Sequence, residues 1–427
     1  MNKSWQECSL GEILEIERGG SPRPIKEYIT QDTDGINWVK ISDTKNITKY
    51  IQYTLQKIKP SGLQKSRKVY PGDFILSNSM SFGKPYIMDI EGAIHDGWLV
   101  LRDNNNLLNK DYLYHILSSP FVYNQFSKLA KGSSVKNLNI NLVSTVRINL
   151  FPLPEQRAIV SKIEQLFTDL DQGISDLKKA QEQLKIYRQA VLKKAFEGEY
   201  RNQKLGVISE VKRGKSKHRP RNDKSLFGGD YPFIQTGEIR ATNGGVIMKY
   251  TNTYSEKGLA QSKLWPKGTL CLTIAANIGE TAFLGFDACF PDSIVGIIPS
   301  DNILAPKYLN YYIQKIKKEM DSKASATAQK NINVRFLESL NIPTPSLEIQ
   351  HQIVRGIESR LSICDKIEEN IKDGLLKAVA LRQSILKKAF EGMLLSKDEI
   401  ERCKQEADYE PASVLLEKIR KENKNQK

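Results

Sequence analysis

The feature that most constrains the fold of this 427-residue chain is an internal repeat. The sequence RQAVLKKAFEG at 188–198 recurs as RQSILKKAFEG at 382–392, with nine identical positions and a shift of 194 residues. The same shift, without a gap, carries QRAIV at 156–160 onto QHQIV at 350–354. A repeat of this length indicates two copies of one structural unit, so we expect the chain to fold as two similar halves.

Each half consists of a variable region of about 150 residues followed by a helical region of about 45. The variable regions carry short apolar runs at 73–77 and 268–273 between Gly, Pro and Asn clusters, as strands do. Each also carries a predicted helix, at 111–117 and at 306–317. The fold class expected is α+β, with two similar α/β domains separated by two long helices. The predicted boundaries are 1–151 (first variable domain), 152–198 (first long helix), 199–343 (second variable domain), 344–392 (second long helix) and 393–427 (a partly helical tail).

Apolar or small residues recur at three- and four-residue spacing through both helical regions, which is the pattern of a coiled-coil seam. Neither helix alone can bury such a seam, so we expect the two to pair as an antiparallel coiled coil. The tandem repeat would then fold back on itself with pseudo-two-fold symmetry. The predicted seam residues are Ile163, Leu166, Leu170, Leu177, Leu184, Tyr187, Val191, Ile357, Leu361, Ile367, Ile371, Ala378, Leu381 and Ile385.

The chain carries a formal net charge of +15 and a pI of about 9.3, which favours a polyanionic partner such as nucleic acid. Two variable domains held by a helical rod of roughly 65 Å suit a protein that binds two DNA half-sites at a fixed spacing. Because the two domains differ in sequence, the expected target is bipartite and asymmetric double-stranded DNA with an unread spacer. A duplicated scaffold that only assembles proteins remains an alternative.

The tail from residue 393 onward contains eight Lys or Arg and eight Asp or Glu residues. Its net charge is therefore zero, and the whole basic excess lies in residues 1–392. A helix is predicted over 413–421, whereas 405–410 and 422–427 have the composition of solvated segments.

The five cysteines and four histidines are scattered and form no CxxC pair, so neither a metal site nor a disulfide framework is expected. The N-terminal residues lack the apolar stretch of a signal peptide, and no apolar run approaches the ~18 residues that cross a bilayer. We therefore expect a protein of the reducing cytoplasm that does not enter membranes.

Catalytic motifs are missing from the sequence. There is no Asn/Asp-Pro-Pro-aromatic tetrapeptide of the kind found in amino-methyltransferases. The Gly214-Lys215-Ser216 run resembles the end of a P-loop, but position 209, where the first glycine should stand, is a serine. We therefore predict no catalytic site and no bound cofactor. A fused restriction or methyltransferase enzyme is the alternative, which methyl transfer by this chain alone would support.

Two motifs carry a family resemblance: PLPEQRAIV at 152–160, and LKKAFEG at 192–198 and again at 386–392. With the alternation of variable and helical regions, they resemble the specificity subunits of Type I restriction–modification systems over about residues 5–392. The second copy departs from the first motif, because Gln350 is not preceded by Pro-Glu.

This resemblance implies that the variable domains are target-recognition domains, each of which reads one half-site. It implies that the helices act as a ruler and as the docking surface for two methyltransferase subunits, which restriction subunits then join. It also implies that S-adenosylmethionine, ATP and Mg are used by those partner subunits and not by this chain.

The densest basic run, at 212–221, contains Gly and Pro and is expected to be a cationic loop that contacts phosphates or a guanine edge. A second candidate is the segment 131–137 with its repeat partner 323–331, in which small hydroxyl residues, Lys and Asn suit backbone contacts. A solvated surface run and a structural turn, respectively, remain alternatives. The candidate DNA-binding residues are Arg18, Arg23, Lys26, Lys65, Arg67, Lys131, Ser133, Lys136, Asn137, Arg213, Lys215, Lys217, Arg219, Arg221, Lys330 and Asn331.

Overall fold

The computed structural model of the chain divides into two compact units. Unit 1 comprises Met1–Asp176 and Asp373–Lys427, and unit 2 comprises Leu177–Lys372. The two long helices, Leu153–Ala195 and Leu347–Phe390, each contribute residues to both units. The structure describes residues 4–79, 82–104, 107–131, 137–275, 277–325 and 331–425.

The α/β domain of unit 1 is built on two five-stranded sheets and one two-stranded sheet. The two-stranded sheet pairs Gln6–Ser9 with Arg147–Leu150. In spatial order, one larger sheet contains Glu15–Arg18, Trp98–Arg102, Phe74–Ser77, Pro85–Met88 and Tyr50–Ile51, and the other contains Ile29–Thr30, Gln56–Ile58, Ile36–Val39, Gly92–Ile94 and Arg67–Val69. The helices of this domain are Leu10–Ile13, Lys110–Leu117, Pro120–Lys131 and Ile140–Ser144, with 3-10 turns at Ile25–Glu27, Ile41–Thr44 and Pro60–Lys65.

The α/β domain of unit 2 repeats this plan. Asn202–Lys204 pairs with Asn341–Pro343. The five-stranded sheet contains, in spatial order, Ser209–Arg213, Ile294–Pro299, Leu270–Thr273, Thr281–Leu284 and Val246–Ile247, and a four-stranded sheet contains Asn252–Tyr254, Phe227–Phe233, Ala288–Cys289 and Leu264–Trp265. The helices are Leu205–Ile208, Thr236–Thr242, Glu256–Ala260, Pro306–Ser325 and Val334–Glu338, with a 3-10 turn at Lys224–Leu226.

The predicted strands at 73–77 and 268–273 and the predicted helices at 111–117 and 306–317 are confirmed. The copies differ where unit 2 has the single helix Pro306–Ser325. Unit 1 has two helices there, because Pro120 has no N–H to continue the first helix and instead begins the second.

The long helices pair in antiparallel fashion within each unit. In unit 1 the Asn149 side chain, just before the first helix begins, donates to the carbonyl of Phe390 at the end of the second helix, at 2.7 Å. Further along, Arg382 pairs with Asp171. In unit 2 Arg188 lies 2.6 Å from Asp365, the same contact displaced by the repeat length. The sequence-based expectation of antiparallel helices is thus confirmed inside each unit.

Most predicted seam residues are buried or half-buried along this pairing, but three are wrong. Tyr187, Ile367 and Leu381 are 50%, 41% and 52% exposed. Arg188 and Arg382, one residue after Tyr187 and Leu381, take the position that faces the other helix. Their guanidinium groups form ion pairs with Asp365 and Asp171 of that helix. At 187 and 381 the spacing puts the stripe one residue early, because three- and four-residue steps alternate and sequence alone does not fix their order. The buried members are Ile163, Leu184, Val191, Ile357, Ile371, Ala378 and Ile385, and the half-buried ones are Leu166, Leu170, Leu177 and Leu361.

The phenylalanine of the repeated LKKAFEG motif packs against a buried tyrosine in each unit. The ring of Phe390 lies 5.6 Å from that of Tyr112, and the ring of Phe196 lies 5.0 Å from that of Tyr308. Both pairs are buried. Each tyrosine hydroxyl donates to a strand carbonyl next to a long helix, that of Asn149 at 2.6 Å in the first copy. The motif therefore recurs because each helix end must fit the same aromatic site.

The tail contributes two helices, Lys397–Lys404 and Ala412–Asn425, and packs on unit 1. The segment predicted as helix, 413–421, lies within the second of these. The segment predicted as solvated, 405–410, is ordered at Glu406 and Asp408, which pair with Arg157. The other, 422–427, continues as helix to Asn425 and otherwise lies outside the described residues.

Candidate nucleic-acid interface

A basic loop leaves the strand Glu15–Arg18 at one edge of its sheet in unit 1. The Nε of Arg18 donates to the carbonyl of Asp96 at 3.3 Å. The Ser21 hydroxyl donates to Oδ1 of Asp96 at 2.7 Å, and Arg23 lies 3.7 Å from Oδ2. One aspartate thus contacts two candidate arginines of the same loop.

Unit 2 has the corresponding arrangement at the end of the strand Ser209–Arg213. The Nε of Arg213 donates to the carbonyl of Asp292. The Nη2 of Arg221 lies 3.1 and 2.9 Å from the two carboxylate oxygens of that aspartate. The two copies therefore share an arginine on a backbone carbonyl and a second arginine on the side chain of the same residue.

The sequence folds this way because a glycine follows the strand arginine in both copies. A Cβ at Gly19 would overlap the carbonyl oxygen of His95, and one at Gly214 would overlap that of Pro291. The backbone of the loop consequently crosses directly against the aspartate turn. The Gly214-Lys215-Ser216 run is part of this crossing, which gives its glycine a steric role.

The carboxylate of Asp96 is ionised at neutral pH. The hydrogen bond from Ser21 lowers the pKa of Asp96 from its usual value, and partial burial opposes this effect. The Arg23 side chain is 82% exposed, so its ion pair adds little to stability and mainly fixes where the guanidinium points.

The remaining cations of the 212–221 run are exposed on a loop with defined contacts. The backbone N–H groups of Lys217 and His218 donate to Oε1 of Gln261 at 2.6 and 3.0 Å. The guanidinium of Arg219 donates to the carbonyls of Ser216 and His218, at 2.7 and 2.8 Å. The charged heads of Lys215 and Lys217 face solvent on this frame.

The other unit 1 candidates differ in the contacts that their charged groups make. Lys26 is exposed on the 3-10 turn Ile25–Glu27. The Nζ of Lys65 lies 3.2 Å from the hydroxyl of Tyr28. Arg67 pairs with Glu17 at 2.9 Å, and its side chain remains 45% exposed.

A structural asparagine follows the second candidate segment in each copy. Asn139 and Asn333 are N-caps whose side chains accept from Leu142 N and Phe336 N at 2.9 and 2.8 Å. These caps account for Asn139 and Asn333, and a role of the preceding segments in DNA contact stays a prediction. Asn137 and Asn331 are half-buried beside them, Lys131 ends the helix Pro120–Lys131, and Ser133, Lys136 and Lys330 lie outside the described residues.

The glutamine of the PLPEQRAIV motif also has a structural role. Gln156 is fully buried, accepts from the N–H of Asn109 at 2.8 Å and donates to the carbonyl of Phe151 at 2.9 Å. Gln350 repeats both contacts, with Ala305 at 2.8 Å and Pro345 at 2.9 Å. The residue shared by both copies therefore ties the start of each long helix to its domain.

A sequence profile of the Type I restriction modification DNA specificity domain matches residues 2–179 and, a second time, residues 197–377. The chain belongs to the Type I restriction–modification DNA specificity family. This membership confirms the predicted role as a DNA-recognition subunit of a Type I restriction–modification complex without catalysis of its own. Its partners are accordingly DNA and the other subunits of such a complex.

Two curated relatives and one solved structure match this specificity subunit over most of its length. The specificity subunit of the Type I restriction enzyme EcoBI from Escherichia coli is 24% identical, over 99% of this chain and 93% of that protein. The EcoKI specificity subunit from Escherichia coli strain K12 is 25% identical, over 84% of this chain and 83% of that protein. The crystal structure of the HsdS subunit from Thermoanaerobacter tengcongensis shares the fold, with a TM-score of 0.62 at 23% identity over 92% of this chain and 97% of that one.

The described part of this specificity subunit was searched for membrane-spanning helices and for metal-binding groups. Its helices include none that is both long enough and apolar enough to span a membrane. Those same residues contain no group of three or more His, Cys, Asp or Glu side chains placed to hold a metal ion.

Sequence reasoning missed the two aspartates at the centre of the basic loops. Neither Asp96 nor Asp292 is among the residues that the sequence analysis singles out. A signal was present, because Asp96 and Asp292 occupy the same position of the repeat at a shift of 196 residues. The contact with arginines about 75 residues away was not visible in any local pattern.

Proposed function

We propose that each unit of this specificity subunit reads one half of a bipartite, asymmetric DNA site through its basic loop. The observation that carries the proposal is the pair of arginines on one aspartate, which recurs in two domains of otherwise different sequence. Arginine donates two hydrogen bonds to O6 and N7 of guanine and also binds phosphate, so such a pair suits both readout and positioning. The half-sites differ because the loops around the pairs differ.

The distribution of charge supports this placement. The tail is neutral, so the net charge of +15 belongs to residues 1–392, which contain both basic loops. Lys215, Lys217 and Arg219 are exposed, and binding that releases counterions from phosphates would weaken steeply with added salt.

The finer partner set is also a proposal. Tyr187 and Leu381 occupy the same position of the repeat and are 50% and 52% exposed on the long helices. Two equivalent apolar positions next to paired arginines suit two copies of one protein partner, the methyltransferase subunits, to which restriction subunits would bind in turn. S-adenosylmethionine, ATP and Mg would be used by those subunits.

The test is the methylation pattern made by the complex of this chain with its methyltransferase. Substituting Arg213, Lys215 and Arg219 with alanine removes three cations of the unit 2 loop. We expect methylation of the specific site to fall at least 100-fold, because a good contact to a base is worth ~1–3 kcal/mol and phosphate contacts are lost as well.

The matched control substitutes Lys249, Lys318 and Arg335 with alanine. These residues are exposed in the same unit, and Lys249 follows the strand Val246–Ile247 at the opposite edge of the sheet from Arg213. The control removes the same charge and should leave the methylated sequence unchanged. Full activity of the loop variant would favour the protein-scaffold alternative, and a wild-type complex that methylates no fixed bipartite sequence would contradict the proposal.

A further inference from the structure

We propose that Asp96 and Asp292 are positioning residues for DNA readout, each of which holds two arginines of its unit in the orientation that meets the duplex. This inference rests on the proposed function and names the residues that give the basic loops their specificity. The aspartates themselves contact the arginines and not the bases.

In unit 1 the aspartate is anchored to the core as well as to the loop. The side-chain amide of Asn78, which is buried, donates to the carbonyl of Asp96 at 2.9 Å. The same carbonyl accepts from Arg18, and the carboxylate accepts from Ser21 and faces Arg23. Asp96 therefore connects the two arginines of the loop to a buried residue of the domain.

In unit 2 the aspartate holds its arginines through the same two groups, the backbone carbonyl and the carboxylate. Arg213 is the repeat equivalent of Arg18, since both end the edge strand and precede a glycine. The carboxylate of Asp292 is within hydrogen-bond distance of Arg221 through both of its oxygens.

The residue that meets the carboxylate has changed position between the copies. Arg23 immediately precedes Pro24, and its repeat equivalent is Arg219, which precedes Pro220. In unit 2, however, the carboxylate pairs with Arg221, while Arg219 donates to carbonyls of its own loop. A pair that persists although its donor has moved by two positions points to a requirement for the carboxylate–guanidinium arrangement itself.

The arrangement leaves the arginines able to bind DNA. A guanidinium has five N–H donors in a fixed fork, so a carboxylate on one edge leaves donors on the other. The side chains of Arg23 and Arg221 remain 82% and 52% exposed. Holding them in place before binding reduces the conformational entropy lost on the duplex.

The competing explanation is that these are ordinary surface ion pairs that shape the loops. The two explanations differ in whether discrimination between half-sites changes. Removing one carboxylate makes the surface more positive, so a purely electrostatic role raises affinity for every duplex. A positioning role instead lowers the discrimination between the correct half-site and a wrong one.

The experiment compares Asp96→Asn and Asp292→Asn in the complex with the methyltransferase, on a library of duplexes mutated in one half-site at a time. We expect each variant to lose roughly 10–100-fold of discrimination at one half-site only, and the two variants to affect opposite half-sites. Affinity for random duplex at low salt should stay the same or rise.

Asp89→Asn and Asp287→Asn are the matched controls, since each removes one exposed carboxylate from the same unit. Asp89 accepts from Gln52, and Asp287 accepts from the N–H of Lys267. Both controls should keep full discrimination. Thermal unfolding of each complex shows whether the fold is retained. If an Asn variant unfolds, Arg23→Lys and Arg221→Lys change the arginine side of the same ion pairs. These variants keep the positive charge but remove the planar guanidinium group.

Two results would overturn the inference: discrimination that falls equally at both half-sites, or aspartate variants that behave like their controls. Either result would leave the proposed function standing as long as the wild-type complex selects a bipartite site. Failure of the proposed function is a different result, in which the wild-type complex selects no such site.

Discussion

The same surface of the repeated domain is covered by the tail in unit 1 and exposed in unit 2. In unit 1 Arg157 pairs with Glu406 and Asp408 of the tail at 2.5 and 2.7 Å, and Glu12 pairs with Arg420 at 2.7 Å. A fourth pair joins Lys162 to Glu399 at 3.0 Å. The tail is therefore matched to unit 1 by three charged positions.

Unit 2 has different residue types at the equivalent positions. Arg157 corresponds to His351, Lys162 to Gly356, and Glu12 to Val207, which is 73% exposed. Both domains nevertheless share one strand order in the sheet that carries the basic loop. The comparison teaches that the two domains share this strand order although one lacks the tail, and that the ion-pair partners of the tail are residues of unit 1 that unit 2 does not share.

Removing residues 393–427 is the most severe way to test this comparison. Leu415, Leu416 and Ile419 are buried in the core cluster of unit 1, and burying three such side chains contributes roughly 5–9 kcal/mol as an upper limit. We expect amide hydrogen exchange of the full-length and truncated chains to show a loss of that order in unit 1 alone. A comparable loss in unit 2 would contradict the assignment of the tail to one unit.

The buried phenylalanine–tyrosine contact of each unit should contribute equally to the stability of both units, in contrast to the tail. Phe390→Ala is expected to destabilise unit 1, and Phe196→Ala unit 2, each by about 3–5 kcal/mol, because each leaves a cavity against a buried tyrosine. Hydrogen exchange resolved by unit measures both values. Each variant serves as the control for the other, and an effect on the wrong unit would refute the pairing.

Acid should distinguish the units through His115, whose repeat equivalent is Tyr311. Burial and, to a smaller extent, the nearby charge of Lys49 lower the pKa of His115 to about 4 against the opposing effect of Asp111. Because the folded pKa lies below the unfolded value of about 6.5, the unfolded chain takes up the proton first as the pH falls. Unit 1 is therefore expected to lose roughly 3 kcal/mol between about pH 6.5 and pH 4, with no further loss from this group below that range.

The measurement is the free energy of unfolding of unit 1 as a function of pH, for the wild type and for His115→Tyr. The variant should lose less stability in this window, because burial raises the pKa of Tyr311 in the equivalent place to about 12 and a tyrosine stays neutral there. Identical pH profiles for the two chains would show that His115 does not contribute.

The smallest expected difference concerns the repeated ion pair between the long helices. Arg382→Ala and Arg188→Ala should each cost about 0.2–1 kcal/mol, since both pairs are at least partly exposed and screened by salt. Double-mutant cycles with Asp171→Ala and Asp365→Ala measure the two coupling energies. Unequal coupling energies would show that the two ion pairs have equivalent positions but do not contribute equally to stability.

Several parts of the candidate site could be predicted from the sequence, and others could not. The 212–221 run was found because cations clustered with Gly and Pro indicate a basic loop. Of the predicted seam residues, Ile163 and Ile357 are buried but Tyr187 is exposed, because spacing gives the period of a helical stripe and only packing gives its phase. Asp96 was not found, since nothing within its own segment indicates a contact with Arg18.

By itself, the sequence determined the duplication, the two long helices and the excess of positive charge. These depend on residue identity, spacing and composition, which are local or summed properties of the chain. Only the tertiary structure decided that the end of each long helix closes the domain of the other repeat, that the tail belongs to unit 1, and that one aspartate holds two arginines in each loop. Those features depend on contacts between residues far apart in the chain, whose geometry is set by how the folded elements pack.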